Sequence, residues 1–261
     1  MELDCNSAFS LFLILISAHI IADFLLQTTN DVRNKHRIPF LLKHMVTVGL
    51  MTWILSGVWE SWLLPLITAV SHAVVDGIKV IAIRKGVATP LFRFVADQVV
   101  HLIILALLSL WFSAANFSEE GLFWIFLFGP AYLKFLLFCS GFILTVRTAG
   151  MIIGMLVKPF LQQIEKTDQS GKNEEFRPRK GLADGGRTIG QLERAIIFLL
   201  VMVDQPGAIG FLIAAKSILR FGEIKDRENR METEYIIIGT LMSFFLGLAM
   251  AYATRFVIQK L

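Results

Sequence analysis

Long stretches of this sequence lack charge. Asp, Glu, Lys and Arg make up 18% of the 261 residues, while 55% are hydrophobic and mean hydropathy is +0.65. Soluble domains carry more charge and less apolar content than that. Cys5 to Ala22, Val99 to Ser118 and Tyr235 to Thr254 contain none of the four charged types. Such runs approach or exceed the ~18 residues that read as a membrane-spanning helix. An ordinary soluble domain is excluded. Cysteine is scarce: Cys5 lies at the very start and Cys139 inside an apolar run, so neither a disulfide nor a metal knuckle is expected. The opening "MELDC" is acidic where a secretory signal is basic, and no small-residue cleavage site follows it. A cleaved signal peptide is therefore not expected.

Alternate loops lack basic residues. "GVWES", "NFSEEG" and "VDQPG" carry only acids, as does the N-terminus. The other loops are basic: Arg33, Lys35, Arg37 and Lys43 in 28–43, and Lys79, Arg84, Lys85 and Arg93 in 79–93. Seven basic residues fall in 158–187 and five in 216–230. This distribution accounts for the net charge of +4 without nucleic acid, which is not expected as a partner. The positive-inside rule places the N-terminus outside and the basic loops in the cytoplasm. The fold class expected is all-α, a polytopic membrane protein of about eight transmembrane helices. They span about 6–27, 40–58, 62–82, 93–113, 122–147, 188–203, 206–221 and 235–256. The two at 188–203 and 206–221 are short for a ~30 Å core and could form a hairpin that does not cross fully. By segment, 1–118 is a four-helix membrane bundle, 119–161 a connecting membrane helix, 162–186 a hydrophilic cytoplasmic linker and 187–261 the C-terminal membrane helices.

The back half also lacks histidine; all five lie in the front half. His19 and Asp23, His72 and Asp76, and Asp97 and His101 are each four residues apart, which places each pair on one helix face, one turn apart. The first and third spans run outward to inward and read His then Asp, whereas the fourth runs the other way and reads Asp then His. Each carboxylate therefore lies nearer the cytoplasm, with an imidazole one turn deeper. His44, early in the second span, joins the same level, as do the amides Gln27 and Gln98. His36, in a basic loop, reads as solvated. A charged side chain at membrane depth costs roughly 2.5–3.5 kcal/mol. One isolated pair could satisfy itself or glue helices together, but three in matched register predict a shared site.

Imidazole and carboxylate at this spacing present metal ligands from a bundle interior. The ligands expected are His19, Asp23, His44, His72, Asp76, Asp97 and His101, with Gln27 and Gln98 behind them. One Zn²⁺, or two ions of Zn, Mn or Fe, would suit the set, since ligand types do not fix the metal. A divalent cation would compensate the buried carboxylates. A carboxylate among Asp23, Asp76 and Asp97 not bound to it would serve as general base. A proton or ion pathway through the same groups is the main rival.

The front-half stretches "AHIIADFLLQ", "KHMV", "SHAVVDGIK" and "DQVVH" resemble an uncharacterised bacterial membrane family, domain of unknown function 3307. The back-half stretches "GGRTIGQLER", "GFLIAAKSILRF" and "ETEYIIIGTLMSF" are similar to the C-terminal part of many members. The resemblance implies a multi-pass protein of the bacterial inner membrane and implies no reaction. The front half is also similar in pattern to inner-membrane proteins proposed to be metal-dependent hydrolases, an analogy at the level of fold. In the back half, interhelical ion pairing explains most of the charges. The functional alternative is that Arg187, Lys216 and Arg220 bind an anionic group. "ADGGR" lacks the spacing of a Walker loop, so nucleotide binding by that route is not expected.

Three functions follow. The first is a metal-dependent hydrolase opening to the cytoplasmic leaflet, with the bilayer and a lipid-like or phosphorylated small molecule as partners. The second is an ion- or proton-coupled transporter. The third is a structural or regulatory membrane protein whose metal only joins helices.

Overall fold

The computed structural model describes residues 5–114, 122–170, 185–224 and 230–261. Every regular element among them is helical. Helix α1 (Cys5–Ile20) ends in a π-helical turn, Ile21–Leu26, closed by Gln27 N–H donating to the Ala22 carbonyl at 3.1 Å. A short α2 (Thr29–Asn34) follows. It is started by a capping box in which Thr28 and Asp31 exchange side-chain and backbone hydrogen bonds, satisfying donors the helix start would otherwise leave free. Pro39 opens α3 (Ile38–Ser56), which ends at Gly57 with φ +67°. A Cβ at Gly57 would stand 2.8 Å from that of Phe123, so space as well as backbone angle calls for glycine.

Next come α4 (Leu63–Arg84) and α5 (Pro90–Ala114), then a short α6 (Phe123–Phe128). Gly129, at φ +58°, and Pro130 break the chain there, and α7 (Pro130–Ile143) runs on through a second π turn, Leu144–Thr148, into α8 (Ala149–Ser170). The remaining helices are α9 (Gly185–Met202), α10 (Gly207–Ile224) and α11 (Arg230–Lys260).

Among the described residues, six helices are long and apolar enough to cross a membrane: Ser7–Leu26, Ile38–Ser56, Leu63–Arg84, Pro90–Ala114, Pro130–Ile164 and Thr233–Lys260. Eight were expected. Residues 188–203 and 206–221 lie in α9 and α10, which are not among these six. The fifth span shifts from 122–147 to begin at Pro130, because Gly129 and Pro130 interrupt the helix. Residues 162–170 of the expected linker continue α8; residues 171–184 of it lie outside the described residues.

The chain divides into two compact units, Met1–Ile143 with Val257–Leu261, and Leu144–Phe256. In the first, α1 is central, packed by α3, α5 and α7, with α3 also against α4 and α4 against α5. Its apolar core includes Leu11, Ile14, Leu15, Leu64, Leu105 and Leu136. The helix faces are arranged inversely to those of a soluble protein. On α4, Leu66, Val70, Val74 and Ile78 face outward, from 46% exposed at Val70 to 62% at Ile78, while Thr68, His72 and Asp76 are at most 3% exposed. An outward apolar stripe with an inward polar one suits a lipid surround.

In the second unit, the buried Arg194 of α9 donates through Nη2 to the Val146 carbonyl at 2.9 Å and through Nη1 to Ser243 Oγ at 3.0 Å. The guanidinium thereby holds a carbonyl of the second π turn.

Candidate metal centre

Four helices of the first unit each carry one imidazole to a common buried point: His19 from α1, His44 from α3, His72 from α4 and His101 from α5. None is more than 4% exposed. The π turn changes how the first motif is used. Asp23 lies in that turn, and its carboxylate meets His44 and His72 while the His19 ring meets Gln98.

Asp23 faces α3 and α4. Its Oδ1 lies 3.0 Å from His44 Nε2 and 3.2 Å from His72 Nε2, and the two nitrogens are 2.9 Å apart. Asp76 Oδ2 stands 3.4 Å from His72 Nε2 and 3.7 Å from His44 Nε2. Donor atoms around a tetrahedral cation with bonds of 2.0–2.1 Å are separated by about 3.3 Å. The five separations bracket that value. Hydrogen bonding alone serves this arrangement less well, because one proton between the two nitrogens leaves both facing the same carboxylate oxygen.

On the opposite side, α5 orients two further rings. His101 Nδ1 donates to the Asp97 backbone carbonyl at 2.9 Å. Since a carbonyl only accepts, Nδ1 carries the proton and Nε2 presents a lone pair. Gln98 Nε2 donates to Asp97 Oδ2 at 3.1 Å, which turns Gln98 Oε1 toward His19 Nε2 at 3.2 Å. His19 therefore donates from Nε2 and leaves Nδ1 bare. Among the described residues, both bare nitrogens, His101 Nε2 and His19 Nδ1, are buried without a partner. The His101 ring lies 4.3 Å from that of His72 and 4.8 Å from that of His19, centre to centre. Ligand atoms of His19, His72 and His101 lie within 4.8 Å of one another, as do those of Asp23, His44 and His72. His72 belongs to both groups. These buried clusters could hold a metal ion.

Two lysines complete the electrostatics. Lys35 Nζ reaches Asp76 Oδ2 at 2.5 Å, with both side chains at most 10% exposed. Lys79 Nζ reaches Asp97 Oδ2 at 2.6 Å. Asp23 has no lysine or arginine partner among the described residues, and its side chain is 6% exposed. An unbalanced buried carboxylate is costly. A cation or an imidazolium at the His44–His72 edge would offset it.

A shallow recess leads toward His44, lined by Leu26, Gln27, Asp31, Lys43, His44 and Thr47. Asp31, on α2 outside the candidate spans, accepts from Lys43 Nζ at 2.9 Å and from Thr28 Oγ1 at 2.8 Å. The Lys43 ammonium first, and then the Thr28 donors, hold its carboxyl down at about 2.

Residues 11–124 match the family described as Protein of unknown function (DUF3307). The DUF3307 region contains every imidazole and carboxylate of the site. It ends before α7, so the second unit lies outside it. No curated protein and no solved structure matches the chain.

Sequence-derived expectations meet this geometry unevenly. His19, His44, His72, His101 and Asp23 converge. Asp76 touches the cluster but is also paired with Lys35, and Asp97 is turned to Lys79 and Gln98, so the three carboxylates are not equivalent as the sequence motif suggested. Gln98 orients His19. Gln27 follows the π turn in extended backbone, and its buried Nε2 has no hydrogen-bond partner. Lys35 and Lys79 were legible only as loop charges. In the second unit, Arg187 is exposed at the start of α9. Lys216 is held by Glu193 Oε2 at 2.5 Å, and the Arg220 side chain lies outside the description. Among the described side chains no anion site assembles there.

Proposed function

We propose that the DUF3307 region is a metal-dependent hydrolase of the bacterial inner membrane, with one divalent cation at the His44–His72–Asp23 edge. Zn, Mn and Fe all suit the donors. The observation that carries this reading is Asp23, a buried carboxylate with two imidazole nitrogens for neighbours, spaced as donors around one ion and without a compensating ammonium. A divalent cation held there supplies Lewis acidity and activates water near neutral pH. The chain's own groups supply the rest. His101 Nε2 and His19 Nδ1 are bare bases, locked in their tautomers by the Asp97 carbonyl and by Gln98, and either can take the proton that water gives up on attacking a phosphoryl or acyl centre. Asp97, clamped by Lys79, positions both rings and is not the base itself. Asp76, paired with Lys35 and beside His72 and His44, could also help hold the cation.

Charge-free runs and an outward apolar stripe support a membrane-embedded protein. The basic loops support a topology with the N-terminus outside and the site near the cytoplasmic face. A site at that depth is reached sideways from lipid, so the substrate is amphiphilic. In this reading the four-helix bundle of 1–118 is the working domain, and the segments beyond it support it.

Elemental analysis of detergent-purified protein tests the proposal. About one divalent cation per chain is expected in the wild type and in the exposed-loop control His36→Ala, and far less in Asp23→Ala. Wild-type protein that carries no divalent cation and takes none up refutes it.

A further inference from the structure

All five tryptophans of the sequence lie at one end of the first unit. Trp53 is in the last turn of α3, Trp59 and Trp62 in its connection to α4, Trp111 in the last turn of α5 and Trp124 in α6. Short connections make α3, α4 and α5 alternate in direction, which brings these positions to one level. The opposite ends of the same helices carry Lys43, Arg84, Lys85 and Arg93 and no tryptophan.

The rings are built into the helix ends. Trp124 Nε1 donates to the Ile54 carbonyl and the Tyr132 hydroxyl to the Leu55 carbonyl, each at 2.6 Å. Those carbonyls belong to the last turn of α3, which has no intrahelical donors left for them. Trp53 stacks on Trp62 with ring centres 4.6 Å apart and meets Trp59 edge-on at 5.1 Å. Beyond this layer the rings turn outward: Trp62 is 65% exposed and Trp111 51%. An indole joins an apolar body to a single N–H donor, which suits the boundary between acyl chains and head groups better than hydrocarbon or water alone. Lipid is the occupant this patch fits, because the candidate spans Ile38–Ser56, Leu63–Arg84 and Pro90–Ala114 each end or begin beside it.

We infer that this aromatic end seats in the head-group boundary of a single leaflet, the one facing away from the basic loops, and so sets the depth of the buried imidazoles. His44 lies nine residues from Trp53, and His72 and His101 lie ten from Trp62 and Trp111. At about 1.5 Å per residue each imidazole is about 14–15 Å from the tryptophan level, half of a ~30 Å hydrocarbon core. Three helices give the same depth independently. Asp76 and Asp97, fourteen residues from Trp62 and Trp111, fall about 21 Å from that level, in the half of the core toward the basic loops. The anchor does not depend on a cation being bound.

Protein reconstituted in phosphatidylcholine vesicles tests it, with phosphatidylcholines brominated either near the carbonyl or near the chain end as quenchers. Bromines occupy both leaflets, so the direction of insertion does not matter. Native tryptophan emission should be lost most with bromines near the carbonyl. A bimane label on Val74→Cys, in a chain also carrying Cys5→Ala and Cys139→Ala, reports the imidazole level, since Val74 faces outward two residues from His72. Its emission should be lost most with bromines near the chain end. Tryptophan emission lost most with deep bromines, or equally at both depths, overturns the anchor. Tryptophan emission that no brominated lipid reduces, beside a bimane that is quenched, means that a protein surface or a second copy covers the rings, and overturns it too. A bimane quenched most by shallow bromines overturns the depth. If neither signal responds to any brominated lipid, membrane embedding itself is refuted.

Discussion

Replacing Lys35 with methionine tests how the centre balances its charge. In the metal-free protein this ammonium sits 2.5 Å from Asp76 Oδ2, with side-chain exposures of 10% and 1%. Solvent screens such a pair little. Removing one partner of a buried pair costs about 3–5 kcal/mol, because the other charge stays behind. At roughly 2–4 °C per kcal/mol for chains of this size, the thermal midpoint of metal-free Lys35→Met should fall by about 6–20 °C. Metal affinity should change in the opposite direction. A divalent cation sharing Asp76 would stand about 4 Å from the ammonium. At that separation two unit charges repel by about 1 kcal/mol in water and about 4 at an effective dielectric of 20, and by twice that for a divalent ion. Even the lower bound of about 2 kcal/mol exceeds a factor of ten in affinity. Lys35→Met should therefore bind Co²⁺ at least tenfold more tightly. Saturating metal should also recover more midpoint in the variant than in the wild type, since binding to the folded state alone stabilises it. Thermal unfolding and cobalt titration in one detergent measure both. An unchanged metal-free midpoint together with unchanged cobalt affinity refutes the reasoning, and Lys35→Arg should restore most of the wild-type behaviour.

Two further outcomes are expected. Asp31 has its carboxyl depressed to about 2 from 3.8, so its contribution is complete above about pH 4 and is lost as pH falls through about 2. Asp31→Asn should lower the unfolding midpoint at neutral pH and remove the difference from wild type by pH 2; a difference that persists unchanged at pH 2 contradicts this origin. In the second unit, a Cβ at Gly150 would stand 2.6 Å from Arg194 Nη2, whereas one at Gly154 would meet nothing within 4 Å. Gly150→Ala should cost about 1–3 kcal/mol through displacement of the guanidinium and Gly154→Ala almost nothing, and equal midpoints in detergent would remove the packing argument.

Charge-free runs and the four-residue spacing of His and Asp are properties of order along the chain, so the sequence alone determined the helical class and the common depth of the imidazoles. A charge-poor run of spanning length has few stable alternatives to a helix in lipid, and reversal of the motif in Asp97–His101 carries depth information that needs no coordinates. Spacing specifies which residues share a face. It does not specify how far each helix is rotated about its axis, and that rotation is set by packing such as Gly49 against Ala69. Only the tertiary structure therefore decided that His44 and His72 meet Asp23 while His19 turns to Gln98. The π turn at Ile21–Leu26 was hidden for a related reason: one extra residue in a turn changes azimuth without changing composition. Lys35 was beyond reach as well, since it comes from the end of a short connecting helix, and partnership between a connecting segment and a helix depends on the path of the chain in space. Span count is where the two readings differ: six helices qualify as candidate spans among the described residues, and α9 and α10 are not among them.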